Sequence, residues 1–171
     1  MTHQLHDLVR HNSWANATLL AFCGKLDDAA LDLTVPGTYG TIRETLRHTI
    51  DSEMSYLFRA SGLWPERPWQ AGETVSLKML AERTVLLARA WEQYLAAGVD
   101  ADGLGEARGD DGTVFAVRHG VFITQAIHHG NEHRAHICTI LGANGIEPPE
   151  LSGWLYGEET GRSTLTTPGT G

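Results

Sequence analysis

Two histidines four residues apart carry the strongest chemical signal in this sequence. His129 and His133 lie in the segment 126–140, whose apolar residues have the spacing of a helix. Residues four apart lie on one face of a helix, about one turn from each other. A divalent metal ion would bind both imidazoles at once, whereas two unpaired polar rings on an apolar face would be costly.

The surrounding residues show which side of this helix carries the pair. At about 100° per residue, several apolar side chains lie within roughly 80° of His129. They are Phe122, Ala126, Ile137 and Ile140. His128 points about 100° away and provides a control. The spacing leaves open a hydrogen-bonded core pair, and a metal site would need a third ligand. Gly130 stands where zinc proteases of the His-Glu-x-x-His type carry their base.

Length and composition indicate a single globular domain. The chain has 171 residues, 42% hydrophobic and 20% charged, enough for a core without disulfides. We expect residues 1–162 to form this domain and residues 163–171 to be disordered. The net charge of −8 argues against nucleic acid as a partner. Cys23 and Cys138 predict free thiols in a reducing cytoplasm, and no apolar run is long enough for a membrane span.

Four long helices are predicted, separated by segments rich in turn-forming residues. They cover about 4–25, 41–60, 76–97 and 118–141. Thr41 and Glu44 form a capping box at the start of the second helix. Ser76 can cap the third helix and Gly98 can end it. This pattern predicts an all-α four-helix bundle.

The first helix is expected to bury one stripe of residues with three-four spacing. The stripe comprises Leu5, Leu8, Asn12, Ala15, Leu19, Phe22 and Leu26, with Asn12 as its polar interruption. Three further histidines, His3, His6 and His11, are expected to be solvated, with a reach of one of them to the site as the alternative.

His48 lies on the polar side of the second helix. It is nearly opposite Leu46 and shares its side with four small polar residues. These are Thr41, Thr45, Ser52 and Ser55. The placement fits either an exposed histidine or one that faces a wet cavity lined by small residues. Spacing alone favours the exposed position.

The segments between the helices predict turns and one short extended element. Residues 62–72 contain two prolines and two glycines, which exclude regular structure. Trp64 and Trp69 are expected to pack this loop onto the bundle, with a pocket lid as the alternative. Gly-Asp-Asp-Gly at 109–112, followed by a β-prone run, predicts a short β-hairpin or an irregular loop before the fourth helix. A short helical turn is expected at 154–159.

Three segments match helix patterns of one protein family. Residues 11–20, His-Asn-Ser-Trp-Ala-Asn-Ala-Thr-Leu-Leu, are similar to its first-helix Tyr-Asn-x-Trp-Ala-Asn-x-x-Leu-Leu. Residues 41–48, Thr-Ile-Arg-Glu-Thr-Leu-Arg-His, are similar to its second-helix segment, which ends in a ligand histidine. Residues 129–137 are similar to its fourth-helix His-x-x-x-His, followed by Arg-Gly-Gln. Over about residues 5–160 the chain thus resembles the DinB/YfiT-like family of metal-binding four-helix bundles.

This resemblance implies a three-histidine metal site. In the family one ligand comes from the second helix and two from the fourth, which correspond here to His48, His129 and His133. It also implies an up-down-down-up bundle and a homodimer. We expect one divalent ion per chain, zinc or nickel, with iron as a further candidate.

A few residues depart from the family pattern without removing a ligand. His11 replaces a tyrosine, Glu132 stands where many members have histidine, and Ala135-His136 replaces Gly-Gln. His136 lies about 20° from His129 around the helix, and we expect it to support the site from outside the ligand set.

The resemblance further implies thiol chemistry. Three neutral imidazoles would leave a divalent ion with open positions, as in catalytic sites. The best-characterised relatives are transferases and isomerases, so we expect a metal-dependent S-transferase or isomerase that uses a low-molecular-weight thiol on a small-molecule substrate. The alternative is a stress-linked metal- or ligand-binding bundle without catalysis. Thiol oxygenases of this type use His-x-x-x-His-x-Glu, and Ala135 in place of that glutamate argues against them. No catalytic base is identified.

Overall fold

Four long α-helices build the molecule, and shorter elements connect them. The computed structural model describes residues 2–64, 69–70, 73–109, 111–164 and 166, without the side chains of residues 2–4. The long helices are α1 (Thr2–Cys23), α3 (Ile42–Ser61), α4 (Leu77–Ala96) and α5 (His119–Ala143). The short elements are α2 (Asp28–Leu31), β1 (Leu104–Arg108), β2 (Val114–Arg118) and α6 (Gly153–Glu159). The predicted helix ends agree to within two residues, and α2 is an element that the prediction lacked.

Neighbouring residues on different helices give the direction of each helix. α1 runs parallel to α5, α3 runs parallel to α4, and α3 is antiparallel to α5. Leu5 lies near Ile127 and Asn16 contacts Arg134, so α1 and α5 run the same way. Asp51 contacts Arg83 and Glu53 contacts Trp91, as in parallel helices. His48 meets His133, whereas Arg59 and Phe122 meet around Gly105, as in antiparallel helices. The expected all-α four-helix bundle with up-down-down-up order is therefore present.

The helix ends carry the caps predicted from the sequence. The Glu44 amide donates to the Thr41 hydroxyl (3.1 Å), and the Thr41 amide donates to the Glu44 carboxylate (2.9 Å). The Ser76 hydroxyl accepts a hydrogen bond from the Met79 amide at 3.2 Å. Gly98, just beyond α4, has a φ of 86°, which glycine adopts without strain. The capping box starts α3 at the position that brings His48 to the site.

The buried face of α1 differs from the predicted stripe. Leu8 is 53% exposed, whereas its neighbour Val9 is buried at 3%. The inward face comprises Val9, Asn12, Ala15, Asn16, Leu19, Leu20 and Cys23. Because α1 packs against both α4 and α5, it turns the side with Asn12 and Asn16 inward. Leu8, about 100° from Val9, then points to solvent.

The segment before α5 forms the short β-hairpin, the first of the two predicted alternatives. β1 and β2 pair antiparallel, with Leu104 opposite Arg118. Gly105 lies against α3 so closely that a Cβ there would come within 2.4 Å of the Arg59 carbonyl oxygen. The second strand continues directly into α5, which fixes where the histidine-bearing helix begins.

The tryptophans of the loop after α3 pack onto the bundle, as predicted. The Trp64 ring stacks on Phe58 at 4.6 Å, and the Arg83 guanidinium lies 3.1 Å from the centre of the Trp69 ring. Other parts of this loop (65–68 and 71–72) and most of the tail predicted to be disordered lie outside the described residues. Among the described residues, no helix is long and apolar enough to cross a bilayer.

Candidate metal centre

Three histidine rings from two helices converge on one point. His48 comes from α3, and His129 and His133 come from α5. The Nε2 atom of His129 lies 3.1 Å from the Nε2 atoms of both His48 and His133. One nitrogen from each ring lies within 4.8 Å of the others. The trio named from the sequence is thus brought together, and it could hold a metal ion.

The electrostatics of the trio suit metal binding. Burial, reinforced by the neighbouring His133 and His48 rings, lowers the pKa of His129 to about 4. Burial also lowers the pKa of His48 and of His133. All three rings are therefore neutral at pH 7 and offer a lone pair, as metal ligation requires. Two nitrogens bound tetrahedrally to zinc at about 2.0–2.1 Å lie roughly 3.3 Å apart, close to the observed separation.

Two tyrosines surround the trio, and neither was identified from the sequence. The Tyr39 ring stacks on His48 (4.1 Å between centroids) and meets His133 edge-on at 5.0 Å. Tyr56 meets His129 edge-on at 5.6 Å. Tyr39 belongs to the turn before α3, which has no periodicity to indicate its direction. Thr38, the residue before it, ties this turn together by donating to the Val35 carbonyl at 2.7 Å.

His48 faces a groove, the second of the two positions predicted for it. The groove has a volume of about 420 Å³ and is lined by Tyr39, Glu44, Arg47, His48 and Asp51. The small residues expected there are not its lining. Thr45 is fully buried and donates to the Thr41 carbonyl at 2.7 Å. Charged and aromatic side chains therefore border the trio.

A comparison with protein-family models matches residues 1–165 to the DinB family. The chain belongs to the DinB family. This agrees with the helical bundle and with the three histidines that meet on α3 and α5. A search of curated proteins finds no match.

The remaining histidines of this DinB protein differ in their surroundings. His128 is exposed, as its angle on α5 predicted. His136 lies 5.4 Å from His133 between ring centroids. Within the described part of the chain, the buried Nδ1 atoms of His133 and His136 have no hydrogen-bond partner. His136 is thus adjacent to the trio, and its supporting role stays a prediction.

His11 is not solvated, and that prediction was wrong. Its Nε2 atom lies 2.9 Å from the Leu151 carbonyl oxygen. Its ring packs against Trp14 and Tyr156 at 5.7 and 5.6 Å. α6 folds back over α1 and covers this position, which no pattern within α1 could indicate. His6 is partly exposed, and the side chain of His3 lies outside the described residues.

A buried polar network lies beside the DinB trio, and the sequence reasoning missed it. The Arg134 guanidinium donates to the side-chain oxygens of Asn12 (2.8 Å) and Asn16 (2.7 Å). Glu53 accepts from Asn16 (2.6 Å) and from Trp91 (2.9 Å). All five side chains are at least nine-tenths buried. Two asparagines four apart on the apolar face of the first helix were the available signal.

Proposed function

We propose that this protein is a metal-dependent enzyme that acts on a low-molecular-weight thiol, as an S-transferase or an isomerase. His48, His129 and His133 would hold one divalent ion, zinc or nickel, with iron as a further candidate. Such an ion supplies Lewis acidity, which lowers the pKa of a thiol or of water. The chain's own residues supply neutral nitrogen ligands and the groove that admits a substrate.

The observation that supports this proposal most is the convergence of three neutral imidazoles beside an open groove. One nitrogen from each ring lies within 4.8 Å of the others, and His48 also lines the groove. Small-molecule sites typically measure about 300–1,000 Å³, and the groove, at about 420 Å³, falls in this range. A closed structural site would not need this access.

The groove's charged residues would orient a polar substrate. Arg47 donates to the Glu73 carbonyl oxygen at 3.1 Å and lies 3.5 Å from Asp51. Asp51 also lies 3.5 Å from the fully buried Arg83. These contacts hold one cation and one carboxylate beside His48. Both can bind charged groups of a small organic thiol.

The decisive experiment combines metal analysis with a thiol screen. Protein purified without an affinity tag would be assayed for bound metal, then offered an electrophile with mycothiol, bacillithiol, glutathione or coenzyme A. We expect transfer that depends on the metal and is abolished by a chelator and by His48→Ala. Bound metal without transfer from any of these thiols would contradict the enzymatic proposal.

The second candidate function is a stress-linked bundle that binds a metal or ligand without catalysis. The observation that favours it is the state of Asp51, whose carboxylate is already paired with Arg47 and Arg83. Arg47 engages its Oδ2 and Arg83 its Oδ1, so a substrate would have to displace one of these cations to reach the carboxylate, although burial raises the Asp51 pKa. In either function we further propose a cytoplasmic homodimer, and sedimentation of the purified protein tests the dimer.

A further inference from the structure

The buried network connects the two helices that carry the histidine trio. Glu53 lies on α3, the helix of His48, and Arg134 directly follows His133 on α5. Asn16 of α1 bridges them, because its amide group donates to Glu53 and its oxygen accepts from Arg134. A continuous path of hydrogen bonds therefore runs from α3 through α1 to α5.

The contact between α1 and α5 is unusually close at the level of the trio. A Cβ on Gly130 would lie 2.5 Å from the Asn12 oxygen and 2.9 Å from Nη1 of Arg134. Gly130 sits between His129 and His133, in the same turn of α5. The fit leaves α5 little freedom to rotate or slide without breaking the Arg134 hydrogen bonds.

The buried charges of the network favour this one position of α5 over others. Arg134 and Glu53 are both almost fully buried, with 4% and 3% of their surface exposed. Glu53 is the acidic partner at the other end of the network, where it accepts hydrogen bonds from Asn16 and Trp91. A buried charge that loses its partners is costly, so alternative settings of α5 are disfavoured.

We infer that Arg134 and Glu53 are positioning residues of the metal centre, which set α5 so that His129 and His133 face His48. They act through the helices and do not touch the ion. Apolar residues of α5, among them Ala126 and Ile137, are buried on either side of the pair, and the network adds directional hydrogen bonds at the level of the pair itself. This inference rests on the metal site proposed above.

The test measures metal affinity and coordination geometry, without an assay of activity. Zinc dissociation constants come from competition with a chromophoric chelator, and the visible spectrum of the cobalt-loaded protein reports the ligand geometry. We expect Arg134→Met to weaken zinc binding about 10- to 100-fold and to alter the cobalt spectrum, as loss of supporting contacts does elsewhere. Arg134→Lys should recover part of the affinity, and Glu53→Gln should give a smaller loss.

Leu141→Ala provides the matched control. Leu141 is fully buried on the same helix, two turns beyond Arg134, and it is apolar. Its truncation should lower the melting temperature but leave zinc affinity within about twofold, since cavity formation acts on global stability. Equal losses of affinity in Leu141→Ala and Arg134→Met would overturn the inference.

Two further outcomes separate the inference from the metal proposal. If folded Arg134→Met binds zinc with the affinity and cobalt spectrum of the wild type, the positioning role is overturned while the metal site stands. If only Glu53→Gln folds, the same result in that variant overturns the role. If wild-type protein takes up no ion, the metal proposal fails. The crystal structure of Arg134→Met without metal then decides whether the network sets the three rings. The role is overturned if the three Nε2 atoms remain together, and it is upheld if His133 moves away from the other two.

Discussion

At the scale of single residues, two adjacent histidines test the site directly. His129 contributes its Nε2 atom to the trio, whereas His128 is exposed on another side of α5. His129→Ala should release the metal. His128→Ala should retain it and change the free energy of unfolding by less than about 0.5 kcal/mol. Metal content after dialysis and urea unfolding provide the two measurements. Metal loss in His128→Ala alone would mean that the wrong ring was assigned.

The depressed pKa of His129 predicts how stability depends on pH. The pKa lies at about 4 in the folded protein, against about 6.5 in an unfolded chain. Between these pH values the unfolded chain binds a proton at His129 that the folded protein excludes. The contribution of neutral His129 to the free energy of unfolding is therefore complete above about pH 6.5 and is lost as the pH falls towards 4. Each pKa unit corresponds to about 1.4 kcal/mol.

Urea unfolding of the metal-free protein at neutral pH and near pH 4 measures this effect. His129→Gln should show a shallower decline, because its side chain does not titrate. Since burial also lowers the pKa of His48 and His133, part of the decline should persist in that variant. An identical slope in wild type and His129→Gln would contradict the assignment of this pKa.

At the scale of elements, two glycines of α5 should respond oppositely to alanine. Within a helix this change usually stabilises by about 1 kcal/mol. Gly142 has open space around it, so Gly142→Ala should follow this rule. Gly130→Ala would press a methyl group against Asn12 and Arg134, and we expect it to destabilise by about 1–3 kcal/mol. Thermal unfolding of both variants checks the contrast, and stabilisation by both would mean that α5 can move away from α1.

Helix patterns predicted the bundle's elements better than its inner faces. The caps at Thr41 and Ser76 depend on neighbours three residues away, and both were correct. The inward face of α1 depends on α4 and α5, so the predicted position of Leu8 was wrong. Amphipathic spacing gives a direction only when a helix buries one side, and α1 packs against two neighbours.

At the scale of the whole molecule, metal binding should stabilise the folded chain. An ion that binds the native state alone adds about 2.7 kcal/mol at 100 times its dissociation constant. We therefore expect zinc to raise the melting temperature of wild type, and calorimetry with and without chelator measures the shift. His48→Ala should abolish most of it. The same shift in that variant would indicate that zinc binds at another site.

The sequence alone determined the features that depend on local chemistry. The spacing of His129 and His133, the capping box at Thr41 and the turn at Gly98 all involve residues within a few positions of each other. Backbone geometry converts such spacing into direction without knowledge of the rest of the chain. The family resemblance added His48 as the third histidine. Its spacing alone had favoured an exposed position.

Only the tertiary structure decided what surrounds the trio. His48 and His129 are separated by 81 residues, and Arg134 and Asn12 by 122, so no local pattern could pair them. The antiparallel packing of α3 and α5 brings the three rings together. The turn before α3 places Tyr39 over His48, and α1 supplies asparagines to a buried arginine. These contacts form because buried polar groups must find partners, and the fold determines which partners are within reach.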